Sequence, residues 1–134
     1  MDKFNMCIET NMYTDSVKHK WGQMMVERED GTVRVYKDAV IWQDGSRNWN
    51  WGVTGTRHTP GVQIGDLKPL MRTCDIIILT RGVDGMLRVP ARTVEYLSIN
   101  GKEVHILKTP AAVRLFNKLL GEDQRVGGLF HSTC

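Results

Sequence analysis

The sequence predicts a single α/β domain: a mixed central sheet with three parallel strands linked by helices, plus an N-terminal antiparallel meander. Three observations carry this. The first half of the chain sets Asp30-Gly31 and Asp44-Gly45 between short apolar runs, and Asp-Gly is a strong hairpin signal because both central residues tolerate positive φ. The second half holds three apolar runs, DIIIL, EVHIL and VGGLF, separated by helical patterns. The length of 134 residues, 41% hydrophobic and 25% charged, suits one globular domain and argues against disorder or coiled coil.

Taken in order, the meander places strands over 21–27, 32–42 and 46–51. In the second of these, Val33 and Val35 alternate with Arg34 and Tyr36, as in a strand covered on one face. Residues 52–65, rich in Gly, Thr and Pro, form a loop too long for a simple connection. Asp66 is placed as the N-cap of a short helix reaching Arg72, with Leu67, Leu70 and Met71 on one face and Pro69 tolerated in the first turn. The run 75–79 is the first parallel strand. Pro90 opens a second helix with Val94 and Leu97 inward and Gly101 past its end.

Strand 103–107 leads to the clearest helix. Thr109 is its N-cap, Pro110 its first position, Val113, Phe116, Leu119 and Leu120 its apolar stripe, and Gly121 its close. Strand 126–130 completes the unit. Continuous apolar runs joined by helices imply right-handed crossovers between parallel strands covered on both faces.

Residues 1–20 read as a polar, weakly ordered lead-in, leaving 21–134 as the domain. The lead-in has neither the apolar core of a secretory signal nor the arginines of a transit peptide. No apolar stretch approaches the roughly 18 residues of a membrane helix, so no membrane role is expected. Three cysteines, Cys7, Cys74 and Cys134, are too few and too scattered for a disulfide framework, which points to a reducing, cytoplasmic setting. The net charge of +3 divides into −1 over residues 1–67 and +4 over 68–134, without a basic run. Nucleic acid is therefore not an expected partner.

Ligands of open α/β sheets sit beyond the carboxyl ends of the parallel strands. Arg81, Lys108, Thr109 and His131 would gather there beside a helix N-terminus, a setting suited to a carboxylate or phosphate. The plainer account makes them solvated edge residues and a hydrogen-bonded sheet-end histidine. Gly82 and Gly85 do not form GxGxxG, and a P-loop is absent. His131 and Cys134 give an HxxC spacing to which Cys74 or His58 could add. One short-spaced pair falls short of the four ligands usual for structural zinc, so the sequence assigns no metal, no cofactor and no catalytic residue. Trp49 and Trp51 fall on one predicted strand face with Arg47 two positions earlier. Tryptophans packing the long loop are the plain reading; a partner surface of Arg47, Trp49, Trp51 and His58 is the sharper one.

Four segments together carry a resemblance: WQDGSRNWNW (42–51), TGTRHTPGVQ (54–63), VPARTVEYL (89–97) and RVGGLFHSTC (125–134). In that order they resemble the Mth938-domain family, whose animal representative is associated with adipogenesis, over residues 21–134. The resemblance implies an α/β fold with a mixed central sheet and an antiparallel hairpin layer. It implies no established catalytic activity. It also implies a mainly cytoplasmic protein linked to fat-cell differentiation and positive regulation of transcription. A related mitochondrial member assists assembly of respiratory complex I, but the presequence of that member is not seen here. The motif residues able to form a family surface are Arg47, Trp49, Trp51, His58, Arg81 and His131.

The expected function is thus a non-enzymatic cytosolic regulatory or adaptor domain that binds a protein partner, as a monomer or weak homo-oligomer. A small-anion binder or weak enzyme at the carboxyl edge of the parallel strands, and a complex I assembly factor, are the alternatives.

Overall fold

A computed structural model describes residues 13–134. Two sheets form. The smaller is an antiparallel meander of β1 (Thr14–Lys20), β2 (Gln23–Arg28) and β3 (Val33–Tyr36). The larger contains β4 (Asp38–Trp42), β5 (Gly45–Asn48), β6 (Ile76–Thr80), β7 (Glu103–Leu107) and β8 (Val126–His131), in spatial order β5-β4-β8-β6-β7. β8, β6 and β7 run parallel, while β4 runs antiparallel to β8 and β5. The helices are a single turn, α1 (Trp51–Thr54), then α2 (Ala91–Ile99) and α3 (Thr109–Gly121). A 3₁₀ segment, Ile64–Leu70, lies between α1 and β6.

Alternation along the large sheet sorts the core into two layers. Ala39, Ile41, Ile76, Ile78 and Phe130 face the small sheet and α3, where Val17, Met24, Val26 and Phe116 meet them. Val40, Ile77, Leu79 and Leu129 face the other way, onto Leu67 and Leu70 of the 3₁₀ segment and Leu97 of α2. The expected mixed α/β architecture with three helix-linked parallel strands is therefore present.

Several local expectations are corrected. Residues 14–20, read as lead-in, form β1, while residues 1–12 lie outside the described residues. Three sets of long-range contacts order β1. Thr14 donates its backbone N–H to Gln43 O and its hydroxyl to Trp42 O. The Gly22 N–H, at the β1–β2 turn, donates to Ser132 O. Asn117 on α3 accepts from the Val17 N–H at 2.8 Å and donates to Val17 O at 2.9 Å, pairing with β1 as a neighbouring strand would.

The single strand expected over 32–42 divides at Lys37, because the chain crosses there from the small sheet to the large one. The strand expected over 46–51 stops at Asn48, and Asn50 caps α1 through its side chain. Asp66 is not an N-cap but sits one turn in, in a capping box with Gln63. β7, expected to be covered on both faces, lies at the sheet edge with Glu103 and Ile106 exposed. Lys108 takes the N-cap position expected for Thr109, whose hydroxyl donates instead to His131 O at 2.6 Å.

The Asn117–Val17 pairing gives the first prediction. Asn117→Ala leaves the backbone groups of Val17 without their partner and should lower the unfolding free energy by about 2 kcal/mol. Hydrogen exchange should show the Val17 amide losing protection before the amides of β6 do.

Candidate functional site

The register of β4 against β8 builds the site. Asp38, the first residue of β4, lies opposite His131, the last residue of β8. Directly opposed residues of an antiparallel pair project to the same face, so carboxylate and imidazole meet. His131 Nδ1 lies 2.9 Å from Asp38 Oδ1, which also accepts the Ser132 N–H at 3.0 Å. A carboxylate only accepts, so His131 carries its proton on Nδ1 and leaves Nε2 for other partners. Those partners are His58 Nε2 and Thr133 Oγ1, each at 3.3 Å. Cys134 Sγ stands 3.6 Å from His58 Nε2. Trp51 closes one side, its ring centroid 4.7 Å from that of His131 and 5.3 Å from that of His58.

Two features hold these groups in place. The long loop carrying His58 is cinched by Asp66, whose carboxylate accepts from Thr54 Oγ1 at 2.6 Å, from Thr56 Oγ1, and from the Gln63 N–H at 2.9 Å. At the end of β6 the chain turns at Gly82, φ +84°, where a Cβ would lie 2.5 Å from the Cys134 carbonyl and 2.8 Å from His131 Cδ2. Only glycine allows residues 131–134 to pass this close, and the Val83 and Met86 N–H groups then bind Thr133 O and Cys134 O. The result is a cleft of about 480 Å³ lined by Lys37, Asp38, Asn48, Asn50, Trp51, His58, His131 and Thr133, among others.

The residues expected from sequence separate into three groups. His131, His58 and Trp51 come together; the anion site was expected to take His131 and the partner surface Trp51 and His58, with His58 also a candidate beside the His131–Cys134 pair. Arg47 is exposed, but Trp49 is 95% buried, packed in the second core layer with its centroid 5.5 Å from that of Trp51. The strand face expected to align Arg47, Trp49 and Trp51 is lost when β5 ends at Asn48.

At the third group, Arg81 donates Nη2–H to Gly85 O at 2.9 Å, and Lys108 is exposed. Thr109 is buried with its N–H on Gly82 O and its hydroxyl on His131 O, so both donors are committed to the fold. Of the four residues expected to hold an anion, His131 alone lines the cleft. Cys74 stays apart. It precedes β6, at the opposite end of the parallel strands, and touches Gln43 and Thr73. Burial pushes its thiol up to about 11.

Asp38 was missed. Its sequence signal is a polar residue interrupting the alternation of 32–42, just where the chain changes sheets.

Residues 18–131 match the family described as protein of unknown function DUF498/DUF598. The chain belongs to that family. Solved structures agree on the fold. A conserved hypothetical protein from Pyrococcus horikoshii OT3 superposes with a TM-score of 0.69 at 21% identity, covering 89% of this chain and 99% of that one. A Bordetella pertussis protein described as a Mth938-like domain gives 0.60 at 16% identity, covering 92% and 87%. A Bartonella henselae protein described as an outer membrane protein gives 0.70 at 18% identity, covering 93% and 99%. Likeness at these identities concerns the fold. In the described part of this DUF498/DUF598 chain, no helix is long and apolar enough to cross a membrane.

Two outcomes follow from this geometry. Asp38→Ala removes the acceptor for both His131 Nδ1–H and the Ser132 N–H and should cost about 3 kcal/mol in urea unfolding, with Asp38→Asn costing less. In alkylation at pH 8, Cys74 should stay unmodified in the native protein and react only on unfolding, whereas the half-buried Cys134 should label under native conditions.

Proposed function

We propose that this family member is a small-ligand-binding domain whose ligand sits in the Asp38–Trp51–His58–His131 cleft. The observation that carries the reading is the orientation of His131. A buried carboxylate holds Nδ1, so Nε2 is directed to a second imidazole rather than into the core. An aromatic wall from Trp51, amides from Asn48 and Asn50 and an ammonium from Lys37 complete a small set of polar groups around an apolar surface, the usual composition of a ligand site. This keeps the carboxyl edge of the parallel strands as the place of binding and replaces Arg81, Lys108 and Thr109 with Asp38, Trp51 and His58 as its residues.

A second reading is that the domain works by holding a protein partner. That would accord with the roles in transcriptional regulation or complex I assembly implied by the family resemblance. One observation favours it. Arg47 and Val53, the latter 78% exposed, line a second cleft of about 280 Å³ that shares Asn48, Trp49 and Asn50 with the first. This surface takes the place of the Arg47, Trp49, Trp51 and His58 patch, because Trp49 is 95% buried and Trp51 and His58 line the first cleft.

The two readings separate in a titration with phosphate and short carboxylic acids, followed by imidazole NMR signals. Saturable shifts at His58 and His131 that vanish in His58→Ala and persist in Arg81→Ala support the cleft. Shifts absent at both histidines, or abolished by Arg81→Ala, overturn it.

A further inference from the structure

We propose that His58, His131 and Cys134 form a binding site for one divalent, borderline-soft cation, with Zn²⁺ the natural occupant. One ligand atom from each of the three residues lies within 4.8 Å of those of the other two. Tetrahedral zinc with Zn–N of about 2.0–2.1 Å and Zn–S of about 2.3 Å requires an N···N edge of about 3.3–3.4 Å and an N···S edge of about 3.6 Å. The structure has 3.3 Å between the two Nε2 atoms and 3.6 Å between His58 Nε2 and Cys134 Sγ. Two edges of the tetrahedron match, and since the third lies within 4.8 Å, a small shift of the half-buried Cys134 side chain brings its sulfur to the remaining vertex.

Asp38 supplies an independent reason. Metal-binding histidines commonly donate their second ring N–H to a carboxylate, which fixes the tautomer and raises ligand basicity. His131 does so, with Nδ1 on a buried Asp38 and Nε2 toward the other two ligands. The ligands come from two segments, the loop of His58 and the run 131–134, each fixed from outside the cluster. Backbone bonds of Val83 and Met86 hold the Thr133–Cys134 segment, and the bond from the Arg88 N–H to His58 O anchors the loop. Two nitrogens and one thiolate select Zn²⁺, or Co²⁺ as its spectroscopic substitute, over Mg²⁺ and Ca²⁺, which prefer oxygen.

Three protein ligands leave a fourth position for water or a ligand group, the arrangement of an open rather than a closed structural zinc site. To that extent the inference deepens the cleft reading and rests on it. Binding exchanges the S–H bond of Cys134 for a sulfur–metal bond and releases that proton to solvent. The imidazoles bind as neutral donors.

Co²⁺ titration of the full chain tests the site. One equivalent should produce visible ligand-field bands of tetrahedral intensity, a near-ultraviolet thiolate-to-cobalt band, and release of one proton, with Zn²⁺ displacing the colour. Cys134→Ser should lose the thiolate band. Asp38→Asn should weaken binding about 10- to 100-fold. His58→Ala, on a half-buried loop residue, should weaken it at least as much while retaining a native circular dichroism spectrum. The Cys7→Ala/Cys74→Ala double variant should bind as the parent does.

The proposal is overturned if no thiolate band appears, or if the band survives in Cys134→Ser. It also fails if folded His58→Ala binds undiminished, which would leave the His58–His131 contact as a hydrogen bond. If phosphate or a carboxylate shifts His58 and His131 in chelator-treated protein that binds no cobalt, the cation site alone fails. If cobalt binds and no such ligand does, the small-ligand reading fails.

Discussion

Everything in the large sheet hangs on β8, the strand at which parallel pairing on one side meets antiparallel pairing on the other. All six of its residues are buried, and it is paired along both edges. At its middle this strand is thin on both faces, unlike β6, which is equally buried and paired but carries three isoleucines. At Gly127 a Cβ would lie 2.6 Å from Cys74 Sγ and 2.8 Å from a Leu70 methyl. At Gly128 it would lie 2.6 Å from Ile78 O. The glycines let the 3₁₀ segment and β6 approach closely, which is why VGGLF can be a central strand despite the weak strand preference of glycine. Dispersion and burial from Leu129, Phe130 and Val126 on either side supply the stabilisation that the glycines do not.

The change of direction at β8 also explains where the site lies. Because β4 runs against β8, its beginning falls beside the end of β8, and Asp38 reaches His131. Had the two strands been parallel, the sheet ends would align and Asp38 would sit at the opposite edge. The small sheet reinforces the seam at both of its ends. The Thr14 hydroxyl binds the β4–β5 turn, and the Gly22 N–H binds Ser132, next to the histidine. The meander is therefore a buttress for the cleft, not an appendage.

How far the sequence showed this depended on the range of the interactions. α3, α2, β6 and β8 were legible because each carries its own signal: a proline at the start, a glycine near the end, a periodic stripe or an unbroken apolar run. β1 was not, because TDSVKHK has little apolar alternation. Its order comes from Asn117, a hundred residues away, and from β2. The burial of Trp49 follows from the turn at Asn50, and Asn48–Trp51 could equally be read as a continuing strand. In the cleft, the HxxC pair was visible, with His58 and Cys74 both candidates to join it. What could not be read was which of them does, across the 73 residues from His58 to His131, and the pairing of Asp38 with His131 across 93.

The Asp38–His131 pair is an unusual choice for fold stability. Its side chains are 12% and 3% exposed, and withdrawing such groups from water carries a cost that their mutual hydrogen bond only partly offsets. A packed apolar pair at the same positions would hold β4 to β8 at least as well, as Ala39 opposite Phe130 does one step further in. The polar pair occupies the last rung of the β4–β8 ladder, where the sheet gives way to the cleft and Trp51 covers the imidazole. Placed there, it leaves His131 Nε2 in reach of His58, Thr133 and whatever enters beside them. The position of the pair, at the end of the ladder and not within it, is what separates a binding device from a packing one.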